Sequence, residues 1–352
     1  MAKTILDALA SRNPALENLA KEGPNTIGDG WIHVENWRPW REFNYKNLSS
    51  IYGDVLSLAG DPPLLEPTCS YDREIWDEHS LDIFLSRFML PVVNWALGHA
   101  TQALGWGNRS IYLAPGSWTG SSDWGLVSKG QMPDGYHNLL PGDTKLSVKW
   151  RPEMEESRDR YTRHQWTLPM SQVNTYAVRS GCRHSFIITD LHLIVLRLSR
   201  EPVAHGLASN RSPRHSTQLG HRRIASGSTD ISSQLEAMSI VESFGAASYA
   251  SSNPANREYQ SPEYASIPWS AQGKKRLTVK MGLFCLCLMA AGGEAKIETA
   301  YPPLDSWRPE SEGFRHNASG QHAYNLPADA IISTQEPESP GTGQTEEEHG
   351  AE

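Results

Sequence analysis

The order of secondary-structure signals between residues 72 and 200 constrains this chain more than any composition figure does. A segment of helical period, "DREIWDEHSLDIFLSRFMLPVVNWALGHATQALG" (72–105), comes first. Ile75, Leu81, Leu85, Phe88 and Val92 fall on one apolar stripe, and Pro91 is placed to kink or divide the helix. Three short strand signals follow, at 110–117 ("SIYLAPGS"), 123–128 ("DWGLVS") and 143–150 ("DTKLSVKW"), with turn residues in "GQMPDGYHN" before the third. A second helix is predicted over 168–181 ("LPMSQVNTYAVRSG"), closed by Gly181. "SFIITD" and "HLIVLRL" then read as a hairpin around Asp190 and Leu191. A chain written α-β-β-β-α-β is expected to build an α/β domain, with a mixed central sheet flanked by helices. Its central strands bury both faces except where they reach a cleft.

The flanks divide by composition. Residues 1–30 read as a flexible leader with a short helix at 4–10, and 31–202 plus 257–308 as the α/β domain. Residues 203–256 are rich in Ser, Ala, Asn, Arg and His, the composition of a disordered insertion. Within it, "HRRIAS" (221–226) is a basic-then-serine pattern of the kind basophilic kinases modify. From 309 onward, ending "TQEPESPGTGQTEEEHGAE", the chain reads as a disordered acidic tail. The apolar run "MGLFCLCLMAAGG" (281–293) is short for a bilayer span, is predicted as a buried helix over 277–291, and implies no membrane role. "MAKTILDALASRNPALENLA" lacks the apolar stretch of a signal peptide. Four scattered cysteines without a CxxC suit reduced thiols in the nucleus or cytoplasm and argue against zinc and iron–sulfur sites. A net charge of −8 excludes a general basic coat, so any nucleic-acid contact needs a local patch.

The third strand signal carries an acid and an amine two residues apart. Alternation along a strand puts Asp143, Lys145, Ser147 and Lys149 on one side and Thr144, Leu146, Val148 and Trp150 on the other. Alone, this describes an ordinary strand with a solvated face. Asp123, at the head of the preceding strand, supplies a second carboxylate. Two carboxylates sharing a site repel each other unless a cation relieves them, and a hard divalent ion suits oxygen ligands. An ammonium beside such an ion, here Lys145, orients or helps deprotonate an attacking water and stabilises phosphoryl charge. Gln172 and Tyr176, one helical turn apart, share a face. Gln172 is suited to orient water and Tyr176 to meet a phosphate. Glu78 and Asp82, one turn apart on the first helix, each offer a further ligand.

In this order the elements resemble the PD-(D/E)XK (restriction-endonuclease-like) nuclease superfamily over roughly residues 70–200, and the Gln172-x-x-x-Tyr176 element looks like its RecB and lambda-exonuclease branch. The wider stretch is similar to fungal proteins with "GDTK…KW" followed by a helix and a strand pair like "FIITDLHLIVLRL". The resemblance implies that Asp123 is the Asp of the signature's "PD", Asp143 its second acid and Lys145 its lysine. Gln172 and Tyr176 match the motif of the following helix, and Glu78 or Asp82 the acid of the first. It also implies Mg²⁺ or Mn²⁺ held by Asp123, Asp143 and Glu78 or Asp82, and hydrolysis of phosphodiesters in nucleic acid, DNA ahead of RNA. Ser122 stands where the signature has proline.

Two other readings remain open. One is a binding module that kept the nuclease fold and lost turnover. The other is an interaction protein that meets protein partners through the insertion or the tail. Arg151, Arg158, Arg160, Arg163, His164, Lys274, Lys275 and Arg276 are candidate phosphate contacts. The acids Glu153, Glu155, Glu156 and Asp159 among them favour a mixed solvated surface.

Overall fold

The computed structural model describes residues 3–106, 110–116, 122–129, 137–202 and 258–333. Helix α1 (Ile5–Leu9) begins at Thr4, whose hydroxyl accepts the Asp7 N–H while the Asp7 carboxylate accepts the Thr4 N–H. This reciprocal cap satisfies two donors that a helix start leaves open. Ile5 and Leu9 are buried in the main core, and Asn25 is pinned to Gln165 by its N–H at 2.6 Å. The short helix is as expected, but the segment 3–30 is tied into the domain and is not the flexible leader its polar composition suggested.

Short elements follow: β1 (Glu17–Asn18), β2 (Arg38–Pro39), α2 (Tyr45–Ile51), α3 (Gly53–Ser57) and β3 (Glu74–Ile75), with β1 parallel to β3. The long helical segment is two helices, α4 (Glu78–Phe84) and α5 (Leu90–Ala103), joined by a π turn over Leu85–Met89. Pro91 lacks the N–H that would continue the α ladder, and the Leu90 N–H reaches back five residues to the Leu85 carbonyl. By length and composition Glu78–Ala103 is apolar enough to cross a bilayer, yet Leu81, Phe84, Val93, Ala96 and Leu97 are core residues.

Strands β4 (Ser110–Pro115), β5 (Trp124–Lys129) and β6 (Asn138–Thr144) form an antiparallel meander. Helix α6 (Arg160–Arg179) then crosses over and returns the chain as β7 (His184–Ile188), parallel to β6. The predicted hairpin is β7 with β8 (His192–Arg197), and β9 (Glu263–Pro268) pairs antiparallel with β8. The seven-stranded sheet has the order β2-β9-β8-β7-β6-β5-β4. Helix α7 (Val279–Gly292) packs on the same side as α5, and α6 on the other.

Alternation along β7 and β8 explains both cores. Phe186, Ile188, Leu193 and Val195 join the α5–α7 core, while Ile187, Ile194 and Leu196 join Trp150, Trp166, Met170 and Val173 beneath α6. Every residue from Val279 to Ala291 is buried, as the apolar run requires. Helix α6 starts eight residues earlier than its periodicity indicated, because the Asp159 carboxylate caps it by accepting the Thr162 N–H at 2.8 Å. It ends where predicted. Gly181 has φ +66°, its N–H bonds the Val178 carbonyl, and the Cys182 N–H bonds the Ala177 carbonyl.

The tail departs from expectation. Strands β10 (Trp307–Glu310), β11 (Gly313–His316) and β12 (His322–Ala323) make a small antiparallel sheet, and order runs to Ser333. Trp307 and His316 pack edge to face at 4.8 Å, and His316 and Ala318 are buried. The acidic character that suggested disorder from 309 belongs to the residues beyond 333. Those residues and the insertion 203–256 with "HRRIAS" lie outside the described residues.

Candidate active site

Strand β6 ends at Thr144, and the expected strand over 143–150 is corrected from there. The Lys145 N–H still bonds the Ile188 carbonyl at 3.0 Å, but the chain then turns. Asp190, in the β7–β8 turn, draws it inward by accepting the Ser147 N–H at 2.7 Å and the Ser147 hydroxyl at 2.6 Å. The Leu146 carbonyl accepts from both Lys149 and Trp150. Leu146 therefore enters the α5–α7 core and Trp150 the α6 core, where an extended strand would have put them on one face.

The turn folds Lys145 back over the strand end. Its Nζ lies 2.5 Å from Asp143 Oδ2 and donates to the Thr144 carbonyl at 3.1 Å. The two side chains are 6% and 1% exposed, so the pair is sealed from bulk water. Asp143 Oδ2 makes no aligned hydrogen bond and is in ion-pair contact with the ammonium. Burial drives the Asp143 carboxyl well above its usual range, and Asp123 pushes the same way against the pull of Lys145.

Thr144 gathers the other carboxylates. Its N–H donates to Asp123 Oδ2 at 2.9 Å, and its hydroxyl donates to Asp82 Oδ1 at 2.5 Å. The Trp124 indole N–H donates to the same hydroxyl at 2.7 Å, which fixes the direction of the hydroxyl proton. Burial raises the Asp82 carboxyl to about 7, with Asp123 and Glu78 adding to the rise. Glu78 is further out, with Oε1 3.8 Å from the Lys149 ammonium. Burial opposes the charge on Lys145, but Asp143, Glu78 and Asp123 outweigh it, and its pKa lies above the ordinary value.

Helix α6 presents Gln172 and Tyr176 together. The Gln172 amide donates to Tyr176 Oη at 2.8 Å. Burial raises the phenol pKa, and the charges of Asp143, Asp123 and Lys145 act on it as well, which puts its ring at the edge of the cluster. An open cleft of about 540 Å³ reaches the site, lined by His79, Asp82, Ile83, Arg87, Asp123 and Trp124 among others.

Asp82, Asp123, Asp143, Lys145 and Tyr176 thus gather at one end of the sheet, Gln172 touches them through Tyr176, and Glu78 acts on them from further out. Thr144 and Asp190 were not predicted. Thr144 read as the apolar side of a strand and Asp190 as a turn former, and no local pattern shows that they bond to Asp82 and Ser147. Among the described residues no three His, Cys, Asp or Glu side chains are already drawn together as a ligand cage. Lys145 occupies Asp143, and Thr144 holds Asp82 and Asp123 on separate atoms. The donor set is all carboxylate oxygen and outnumbers its one buried ammonium, which is the chemistry a hard divalent ion takes, but Asp143 Oδ2 is already engaged by Lys145 at 2.5 Å. Arg151, Arg158, Arg160, Arg163 and His164 are exposed along the start of α6, and Lys274 is paired with Asp7 at 2.6 Å. No family model matches the chain, and neither a curated protein nor a solved structure matches it.

Proposed function

We propose that the chain is a metal-dependent nuclease of the PD-(D/E)XK type. The topology supports it: helix, antiparallel meander, crossover helix, then a strand parallel to the third strand of the meander. The observation that carries it is the gathering of Asp82 and Asp123 on Thr144 beside the buried Asp143–Lys145 pair. Asp123 and Asp143, with Asp82 or Glu78, would hold Mg²⁺ or Mn²⁺. When bound, such an ion neutralises phosphoryl charge and lowers the pKa of a coordinated water. Lys145 keeps its proton under the surrounding carboxylates, so its role is that of a fixed cation and donor toward the attacking water or the developing charge. Gln172 donates to Tyr176 Oη, leaving the phenol proton free to donate to a phosphate oxygen.

Purified protein with Mg²⁺ or Mn²⁺ is expected to degrade linear or single-stranded DNA, and Lys145→Ala to reduce the rate roughly 100-fold or more. Equal rates for wild type and a folded Lys145→Ala would reject this site. The 2.5 Å contact that ties Asp143 to Lys145 also favours a second reading, a nuclease fold without turnover. Calorimetry with Mn²⁺ separates the two: binding weakened by Asp123→Asn supports the nuclease, and no binding supports the inactive module.

A further inference from the structure

We propose that the opposite end of the central sheet carries a second site, which binds a phosphate monoester or inorganic phosphate. Asp143 pairs with Ile187 near the end of β7, whereas this site lies at the start of β7, three residues before Ile187 or about 10 Å along the strand. A cavity there is walled by the start of β7, the end of β8 and the segment that follows α7.

Arg183 is the central observation. It is 7% exposed, its Nε is buried without a hydrogen-bond partner, and no carboxylate among the described residues lies within ion-pair distance of it. Its guanidinium lies over the Tyr301 ring at 4.9 Å, with that of Arg197 at the same distance from the ring. Arg197 differs in having Glu263, at 2.8 Å from Nε and 2.7 Å from Nη2. His184 lines the same cavity, and its Nε2 is also buried without a partner. The exposed Arg200 and Lys296 stand at the rim. Of the acids there, Glu294 is ion-paired with Arg308 at 2.7 Å and also acts on Arg183 at longer range, as does Glu298, against the cations Arg183, Arg200 and Lys296.

A buried guanidinium without a carboxylate at contact distance carries a large desolvation penalty. A forked donor facing a cavity with further cations matches a multiply charged oxyanion, which accepts two parallel hydrogen bonds. Burial lowers the Arg183 pKa and Arg197 adds to the drop, while Tyr301, Glu298 and Glu294 oppose it without making an ion-pair contact. The neutral His184, held down by burial and by the two arginines, would add one more hydrogen bond.

The test is calorimetric titration of the full chain with inorganic phosphate and, separately, a 5′-mononucleotide. EDTA and constant ionic strength keep the carboxylate cluster free of metal. Saturable one-to-one binding is expected. Arg183→Met should weaken it at least about tenfold, and Lys296→Ala roughly threefold to tenfold. Lys296 is exposed, so Lys296→Ala decides the matter if Arg183→Met does not fold. Lys145→Ala should bind as wild type does. Tighter binding of the mononucleotide would assign the site to nucleotides, and equal affinity to the phosphate group itself. Failure to saturate by about 10 mM would overturn the proposal, as would unchanged affinity in the folded variants or loss of binding in Lys145→Ala. Binding that appears only after the residues beyond Ser333 are removed would also overturn it and assign the cavity to the chain's own acidic tail.

Discussion

Asp82 is the side chain on which pH acts most directly. Burial lifts its carboxyl to about 7, while an unfolded chain releases that proton near 3.8. Between those values the folded state holds a proton that the unfolded state has lost. Stability from this group is therefore full below about pH 4, falls as pH rises toward 7, and stays lost above it. A shift of that size is worth about 4 kcal/mol at most. Asp82→Asn keeps an acceptor for the Thr144 hydroxyl and removes the titration. It is expected to melt with wild type near pH 4 and several degrees above it at pH 8. Melting curves across this range check the point, and parallel curves for the two proteins would refute it. Saturating Mn²⁺ should close the gap at pH 8, since a cation relieves the same repulsion the proton does.

At the level of elements, two glycines separate crowding from backbone strain. A Cβ on Gly142 would meet the Phe186 ring at 2.1 Å, and that ring is locked in the core. A Cβ on Gly181 would meet nothing within 4 Å, but the residue sits at φ +66°. Gly181→Ala should therefore destabilise by about 1 kcal/mol, the cost of a left-handed residue with a side chain. Gly142→Ala should destabilise by roughly 1–3 kcal/mol through overpacking, as denaturant titration of both would show. The turn after β6 makes a third case. Asp190→Ala leaves the buried Ser147 N–H and hydroxyl without their acceptor. A loss of about 2–4 kcal/mol is expected, together with a lower rate of any Mn²⁺-dependent DNA degradation, because this turn aims Lys145. Asp190→Asn should recover most of the stability. Unchanged activity in a folded Asp190→Ala would break the link between turn and lysine.

These elements also show how far the sequence reaches. Periodicity revealed the two core helices, the β7–β8 hairpin and Gly181, because each depends on neighbours within a few residues. The grouping of Asp123, Asp143, Lys145, Gln172 and Tyr176 came from the resemblance in element order, which decides which strand ends lie side by side. Periodicity did not show where β6 stops. The residue choice of "KLSVKW" is that of a strand, and only Asp190, 43 residues away from Ser147, overrides it. Nor could it show that Thr4 and Asp7 cap a helix docked in the core, or that the chain from 307 to 323 folds as a sheet. Both stretches are polar and short, and their order comes from what they cover.

The whole molecule is closed by contacts far apart in sequence, and this decides what the insertion can contribute. The described part of the domain stops at Pro202 and resumes at Glu258. The Glu201 N–H bonds the Glu258 carbonyl at 2.8 Å, and Arg200 bridges to Tyr259, directly beyond the β8–β9 ladder. Two antiparallel neighbours whose ends already touch need only a short turn between them. Replacing residues 203–257 with a six-residue Gly/Ser linker shortens the loop about ninefold, which lowers closure entropy by roughly 2 kcal/mol. The shortened protein is expected to melt at or slightly above the wild-type temperature and to retain any Mn²⁺-dependent DNA degradation. Retained folding with loss of a protein partner would assign the insertion to interaction and leave the carboxylate cluster to chemistry. A lower melting temperature would mean that part of 203–257 covers the domain, and the boundary drawn at Pro202 would have to move.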